Sequence, residues 1–177
     1  MEGETAMRKL IMVALIGALL GPVAPARADH DSQTRNPPRV RLIHDGEVAQ
    51  RAFSWSYCWS YSTDDYGVVQ CGDGFPEYPD ADLIDGSPRV TLRIPYSAEP
   101  KRLRIAAYRK IKEKDGWEQT VGEGERLEYS LKPHREKGHI EAWDAVFKLD
   151  EADRHYYLDV YTRLQQGDPA YALHVRT

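Results

Sequence analysis

The sequence predicts an all-β fold, an antiparallel sandwich of two sheets with about eight or nine strands and one disulfide. Three observations lead there. Residues 53–61 (Phe-Ser-Trp-Ser-Tyr-Cys-Trp-Ser-Tyr) alternate without a break, aromatics on one parity, serines and a cysteine on the other. Side chains of a strand point to opposite faces with period two, so this stretch reads as one strand with an aromatic face and a small polar face. Similar alternation recurs in most segments that follow, and no stretch after residue 28 has an amphipathic helical pattern.

The elements follow in order. Arg8 and Lys9 precede an apolar run from Leu10 to Leu20, then Gly21-Pro22 and Ala26-Arg27-Ala28. A positive start, a short apolar run and an A-x-A site make a cleaved secretory signal peptide, expected over residues 1–28. The run is shorter than the ~20 residues a membrane helix needs, so no stable span is expected after cleavage. Residues 29–38, polar and ending in Pro37-Pro38, read as a flexible leader, and residues 39–177 as a single β-sandwich domain. Val40 and Leu42 alternate with Arg39 and Arg41 ahead of Asp45-Gly46, the strongest short hairpin signal. After the aromatic strand come period-two segments at Val90, Leu92 and Ile94, at Leu103, Ile105 and Ala107, and at Leu127, Tyr129 and Leu131. The C-terminal part continues with Trp143 to Leu149, Tyr156 to Val160 and Tyr171 to Val175, and Glu151-Ala152-Asp153-Arg154 makes at most one helical turn.

Cys58 and Cys71 are the two cysteines of the chain. In an exported protein they are expected to be oxidised to each other, stabilising the fold by about 3 kcal/mol on the loop-entropy model. If the chain reverses through a loop from Thr63 to Tyr66 leading into Gly67, Cys58 falls opposite Cys71 on one face of a hairpin. A bridge between the two sheets satisfies the same redox argument.

The chain carries 24 basic and 28 acidic residues. Residues 1–28 hold Arg8, Lys9 and Arg27 with Glu2 and Glu4, so the remainder has 21 basic residues against 26 acidic ones. A mildly acidic chain has no overall attraction for nucleic acid, which is not expected as a partner.

The all-β pattern resembles bacterial exported immunoglobulin-like and fibronectin-type sandwiches. The resemblance rests on Ser56-Tyr57-Cys58-Trp59 with Cys71-Gly72-Asp73, and on Tyr156-Tyr157-Leu158-Asp159-Val160 and Tyr171-Ala172-Leu173 as closing strands. Asp153 also precedes Tyr157 by four, as in a tyrosine corner. It implies an immunoglobulin-like topology over most of the domain and carries no functional residue. One departure matters: Cys58 adjoins Trp59 on the opposite parity, so the buried inter-sheet Cys…Trp…Cys arrangement of antibody domains does not transfer.

Three surfaces are candidates for binding. Trp55, Tyr57, Trp59 and Tyr61, with Tyr66 at the hairpin tip, could form a flat platform for sugar rings. The competing reading is that this face is core, because aromatics bury 150–250 Å² each. Arg102, Arg104, Lys110, Lys112 and Lys114 share one parity and, on one extended strand, would make a basic face for an anionic polymer or for lipid headgroups. Lysines that blunt an edge strand give the same pattern. Asp73, Glu77, Asp80, Asp82 and Asp85 crowd residues 72–88, but Ile84 and Asp85 break the calcium-loop pattern, so a solvated loop and no metal are expected.

No G-x-S-x-G, H-E-x-x-H or glycine-rich phosphate loop occurs. His134 and His139 sit near Pro133 and Gly138 in what reads as a polar loop without metal-ligand spacing. The sequence therefore reads as a secreted or periplasmic, non-catalytic interaction module without a cofactor. Its expected partner is an unknown protein or a cell-surface polymer; the alternative is a carbohydrate-binding module using strand 53–61.

Overall fold

A computed structural model of the chain describes residues 34–63, 65–84, 89–149 and 154–177. The expected signal peptide, residues 29–33 of the expected leader, Asp64, Asp85 and the Asp153 of the tyrosine-corner comparison lie outside the described residues. The fold is all-β. Its strands are β1 (Arg41–His44), β2 (Glu47–Arg51), β3 (Phe53–Ser62), β4 (Gly67–Asp73), β5 (Asp82–Leu83), β6 (Arg89–Ile94) and β7 (Arg102–Tyr108). They continue as β8 (Ile111–Lys114), β9 (Trp117–Thr120), β10 (Glu125–Arg126), β11 (Ser130–Glu136), β12 (His139–Lys148), β13 (His155–Arg163) and β14 (Ala170–Arg176).

Among the described residues these fourteen strands exceed the eight or nine expected, mainly because β5 and β10 are two residues long and β8–β9 is a short ribbon of its own. A few residues of alternation are too little to register as strands. One sheet runs β11-β12-β6-β1-β2, and the larger runs β10-β7-β13-β14-β3-β4 with β5 added in parallel to the end of β14.

The inward parity of each main strand is apolar. Val40, Leu42, Val90, Leu92, Ile94, Ala145 and Phe147 of the five-stranded side join Trp59, Leu103, Ile105, Leu158, Val160, Leu173 and Val175 of the other in one buried cluster. On the outer face of the five-stranded sheet, Arg93 lies in register with Asp144 and donates to both its oxygens, at 2.8 and 2.9 Å. Asp45-Gly46 turns with both residues at positive φ (47° and 85°), the backbone twist that suits a two-residue hairpin. Asp115-Gly116 and Lys137-Gly138 repeat the device.

Two expectations are corrected. Leu127 to Leu131 is no single strand: the chain crosses between sheets there, with the Leu127 N–H donating to Ile105 O and the Tyr129 hydroxyl to Leu103 O. Pro133 and His134 are not in a loop but in edge strand β11, where a proline leaves no inward N–H unsatisfied.

The passage from β2 to β3 carries the chain from one sheet to the other. β3 leaves β14 after Phe53↔Ala172, and β5 joins at Val175, so His174 falls between them. The buried Gln50 amide fills that gap, accepting from His174 N–H at 2.8 Å and donating to His174 O at 2.8 Å. A side-chain amide here stands in for a missing strand.

The loop between β13 and β14 folds back on β3. Ser60 N–H donates to Gln166 O at 2.8 Å, and Gln166 Nε2 donates to Ser60 O at 2.9 Å. A Cβ built on Gly167 would lie 1.9 Å from the Cys58 carbonyl oxygen. Backbone cannot yield there as a side-chain tip can. Gly167→Ala should therefore destabilise the protein by about 3 kcal/mol, whereas Gly67→Ala, whose Cβ meets nothing within 4 Å, should stay within about 0.5 kcal/mol of wild type. Urea-unfolding midpoints of the two variants check this.

Candidate functional site

The site is built by a register change in β3. Ser54 pairs with Tyr171 and Ser56 with Ala170, so two residues of β3 oppose one step of β14 and Trp55 is the extra residue. A bulge of this kind reverses the parity of everything beyond it. Tyr57, Trp59 and Tyr61 consequently face the core, while Phe53 and Trp55 lie on the outer face of the seven-stranded sheet.

Cross-strand registers lay out that outer face as rows. His174, Tyr157 and Tyr108 form the first row, and Phe53, Ala172, Asp159 and Ala106 the second. Ala170, Tyr161 and Arg104 form the third, Arg163 and Arg102 the fourth. Ala170 is small enough for Trp55 to reach across it, and the Trp55 and Tyr161 rings meet edge to face at 6.0 Å.

The segment after β4 straps the first two rows. Tyr78, 8% exposed, donates its hydroxyl to Asp159 Oδ1 at 2.5 Å and meets the Tyr157 ring edge to face. Its N–H donates to Glu118 Oε2 at 3.0 Å, which ties the β8–β9 ribbon to the strap. Phe75 and Trp117 stack at 4.6 Å. Gln50 donates to Asp80 O at 3.0 Å. Residues 72–84 keep Asp73, Glu77 and Asp80 exposed, as expected of a solvated loop, but are pinned to the sheet, with Tyr78 and Ile84 buried and Asp82 paired in parallel with Val175. Burial pushes the Tyr78 hydroxyl far up, with its bond to Asp159 adding to the shift. Burial also raises Asp159, outweighing the Tyr78 hydroxyl and the charge of Arg104, which act to lower it.

Two histidines close the strapped end. His174 Nδ1 lies 3.0 Å from Pro79 O, and a carbonyl only accepts, so the proton is on Nδ1. His174 Nε2 is then the acceptor for His155 Nδ1–H at 2.9 Å. The Tyr157 ring stacks on His174 at 4.2 Å. Burial lowers the His174 pKa from 6.5, and the neighbouring His155 lowers it further, against upward pulls from Pro79 O, Glu118 and Asp80.

Rows three and four are open. Tyr161 is 40% exposed, and Arg102, Arg104 and Arg163 are exposed. Arg102 stands directly opposite Arg163, a like-charge pair that costs stability. Asp168 lies 3.7 Å from Arg163 Nε, and a hollow of about 200 Å³ lies among Arg102, Tyr161, Arg163 and Asp168.

The sequence candidates are therefore divided. Trp55, Arg102 and Arg104 converge on one patch, joined by Tyr161 and Arg163, which alternation alone did not single out. Trp59 is corrected from candidate to core: it is 0% exposed, and its indole N–H donates to Thr34 O at 2.9 Å. Tyr57 and Tyr61 pack against the same core. Tyr66 stands exposed at the hairpin tip, where Thr63 N–H donates to Tyr66 O at 2.8 Å. Lys110 and Lys112 are separated from Arg102 and Arg104, because β7 ends at Tyr108 and β8 pairs with β9 instead of continuing the sheet. Cys58 and Cys71 form a disulfide in hairpin register, Cα atoms 4.1 Å apart, within the seven-stranded sheet.

A larger cleft of about 900 Å³ is lined by five basic residues, Arg89, Arg109, Arg126, Lys132 and Lys148, and two acidic ones, Glu125 and Glu128. Its Tyr156 ring is covered by the Arg109 guanidinium at 4.0 Å. Among the described residues no group of three or more His, Cys, Asp or Glu could hold a metal ion, and no helix is long and apolar enough to cross a membrane. No family model, curated protein or solved structure matches the chain.

The His174 geometry makes a pH prediction. The unfolded chain takes up a proton there near pH 6.5, while the folded chain resists it. Folding stability should be complete above that pH and fall as the pH drops from 6.5 towards the depressed folded value. Unfolding free energies measured across this window should show a smaller slope in His174→Asn.

Proposed function

We propose that the protein is a non-catalytic binding module that holds an acidic saccharide on the open half of the seven-stranded sheet's outer face. The observation that carries this is the adjacency of Tyr161, Trp55 and Arg104, with Arg102 and Arg163 in the next row. An exposed aromatic ring offers a stacking surface to the C–H face of a sugar. Guanidinium forks match carboxylate or sulfate geometry and remain charged at any working pH. Asp168 already lies 3.7 Å from Arg163, and a bound carboxylate or sulfate would add a counter-charge for Arg102 and Arg104.

The same geometry speaks against a long flat platform for neutral glycans. Trp59 is buried, and Trp55 meets Tyr161 at 84°, so the rings are not coplanar. The reading rests on this patch and not on an immunoglobulin-like connectivity of the sandwich. The disulfide supports placing the protein outside the cytoplasm, where such bonds persist and acidic polysaccharides are found.

The test is retention on immobilised uronate-containing or sulfated polysaccharide beside a neutral glucan. Binding should favour the acidic polymers and weaken steeply with salt. Arg102→Ala with Arg104→Ala should cost about a hundredfold or more in affinity, consistent with charged hydrogen bonds of ~1.5–3 kcal/mol each. Trp55→Ala should weaken binding with the circular dichroism of the fold retained. Equal retention on neutral glucan, or none on either polymer, would overturn the proposal.

A further inference from the structure

Among the described residues the main paths of the two sheets end in β11, β2, β10 and β4, with the two-residue β5 a further short edge, and these strands are not protected alike. Strand β11 carries Lys132, Pro133 and Arg135 with a register irregularity after His134. Strand β2 carries Glu47 and Arg51, with an irregularity in its pairing to β1. Strand β10 is two residues long, both charged. Lysines, prolines, bulges, charges and brevity are the devices by which sheet edges are kept from pairing with other chains.

Strand β4 has no lysine, no proline and no bulge, and it is not short. It is seven residues long, Gly-Val-Val-Gln-Cys-Gly-Asp, with one charge at its last position and an unbroken register to β3. Val69 is 69% exposed. The Cys58–Cys71 disulfide fastens β4 to β3, so the edge is held ready instead of fraying. Among the described residues no strand lies on its outer side.

We infer that β4 is a self-association edge, pairing antiparallel with β4 of a second copy of this chain to continue the seven-stranded sheet across a two-fold axis. The occupant must be an extended backbone, because what the edge offers is a row of backbone donors and acceptors. The charge pattern points to a second copy. Gln70 is the middle residue of β4, so an axis there pairs all seven residues, with Val69 opposite Cys71 and Gly67 opposite the single charge, Asp73. Shifting the axis to Val69 would set Asp73 against Asp65 of the other copy, and like charges directly opposed are destabilising. The two-fold contact is self-complementary and needs no other partner. It stands apart from the saccharide patch, whose residues lie on β3, β7 and β13.

The experiment is sedimentation velocity of the full, disulfide-bonded protein across a dilution series. A concentration-dependent dimer is expected. Gln70→Glu and Gln70→Lys should each weaken it by about tenfold or more, since each sets like charges against themselves at the axis. An equimolar mixture of the two should restore dimerisation, which loss of folding would not do. Val69→Lys should also dissociate the dimer, and Val48→Lys on the β2 edge should leave it intact. A monomer at every concentration overturns the inference, as does a dimer indifferent to position 70. So does a monomeric protein that captures extended peptides instead.

Discussion

At Trp55 the backbone of β3 uses two residues where β14 uses one, and both faces of the seven-stranded sheet follow from that step. Beyond it, Tyr57, Trp59 and Tyr61 turn inward, and Trp59 fills the core with its indole N–H satisfied by a backbone carbonyl. Before it, Phe53 and Trp55 turn outward. An unbroken strand of the same sequence would put all five aromatics on one face, either burying Trp55 or stripping Trp59 from the core. Gly167 makes the arrangement possible on the other side, since only a residue without Cβ can sit against the Cys58 carbonyl.

The outer face is in consequence divided between structure and exposure. Ala106, Ala172 and Ala170 are small and buried there, which lets the strap bring Tyr78 down on Asp159 and lets Trp55 cross to Tyr161. A buried carboxyl and phenol satisfy each other, so the strapped half is a small second core with a polar centre. The other half keeps Tyr161 and three arginines in the open. Part of that charge has a role in the fold, since Asp168 lies 3.7 Å from Arg163 and Arg104 acts on the Asp159 carboxyl, and the exposed ring beside the guanidinium groups is what the proposed saccharide site rests on.

Much of this was legible from the sequence for a physical reason. Period-two alternation is a local property, so the strands at Val90–Ile94, Leu103–Ala107 and Tyr171–Val175 and their inward parity can be read from the residues alone. The hairpin register that sets Cys58 opposite Cys71 is also local, since one short loop determines it. Asp115-Gly116 carries the same hairpin signal as Asp45-Gly46 and turns β8 into β9, whereas the basic stretch breaks earlier, at Arg109-Lys110 between β7 and β8, where no turn residue marks the break.

What the sequence determined by itself was therefore the all-β class, the disulfide and the inward parity of each uninterrupted strand, because each depends on neighbours a few residues apart. The tertiary structure alone decided where that parity breaks, since the bulge at Trp55 is a relation between β3 and β14, more than 100 residues apart in the chain. It also decided that Trp55, Arg104 and Tyr161 share a patch, and that the acidic segment after β4 lies strapped across the sheet. Sheet order brings these residues together, and sheet order is a long-range outcome of core packing that no local pattern encodes.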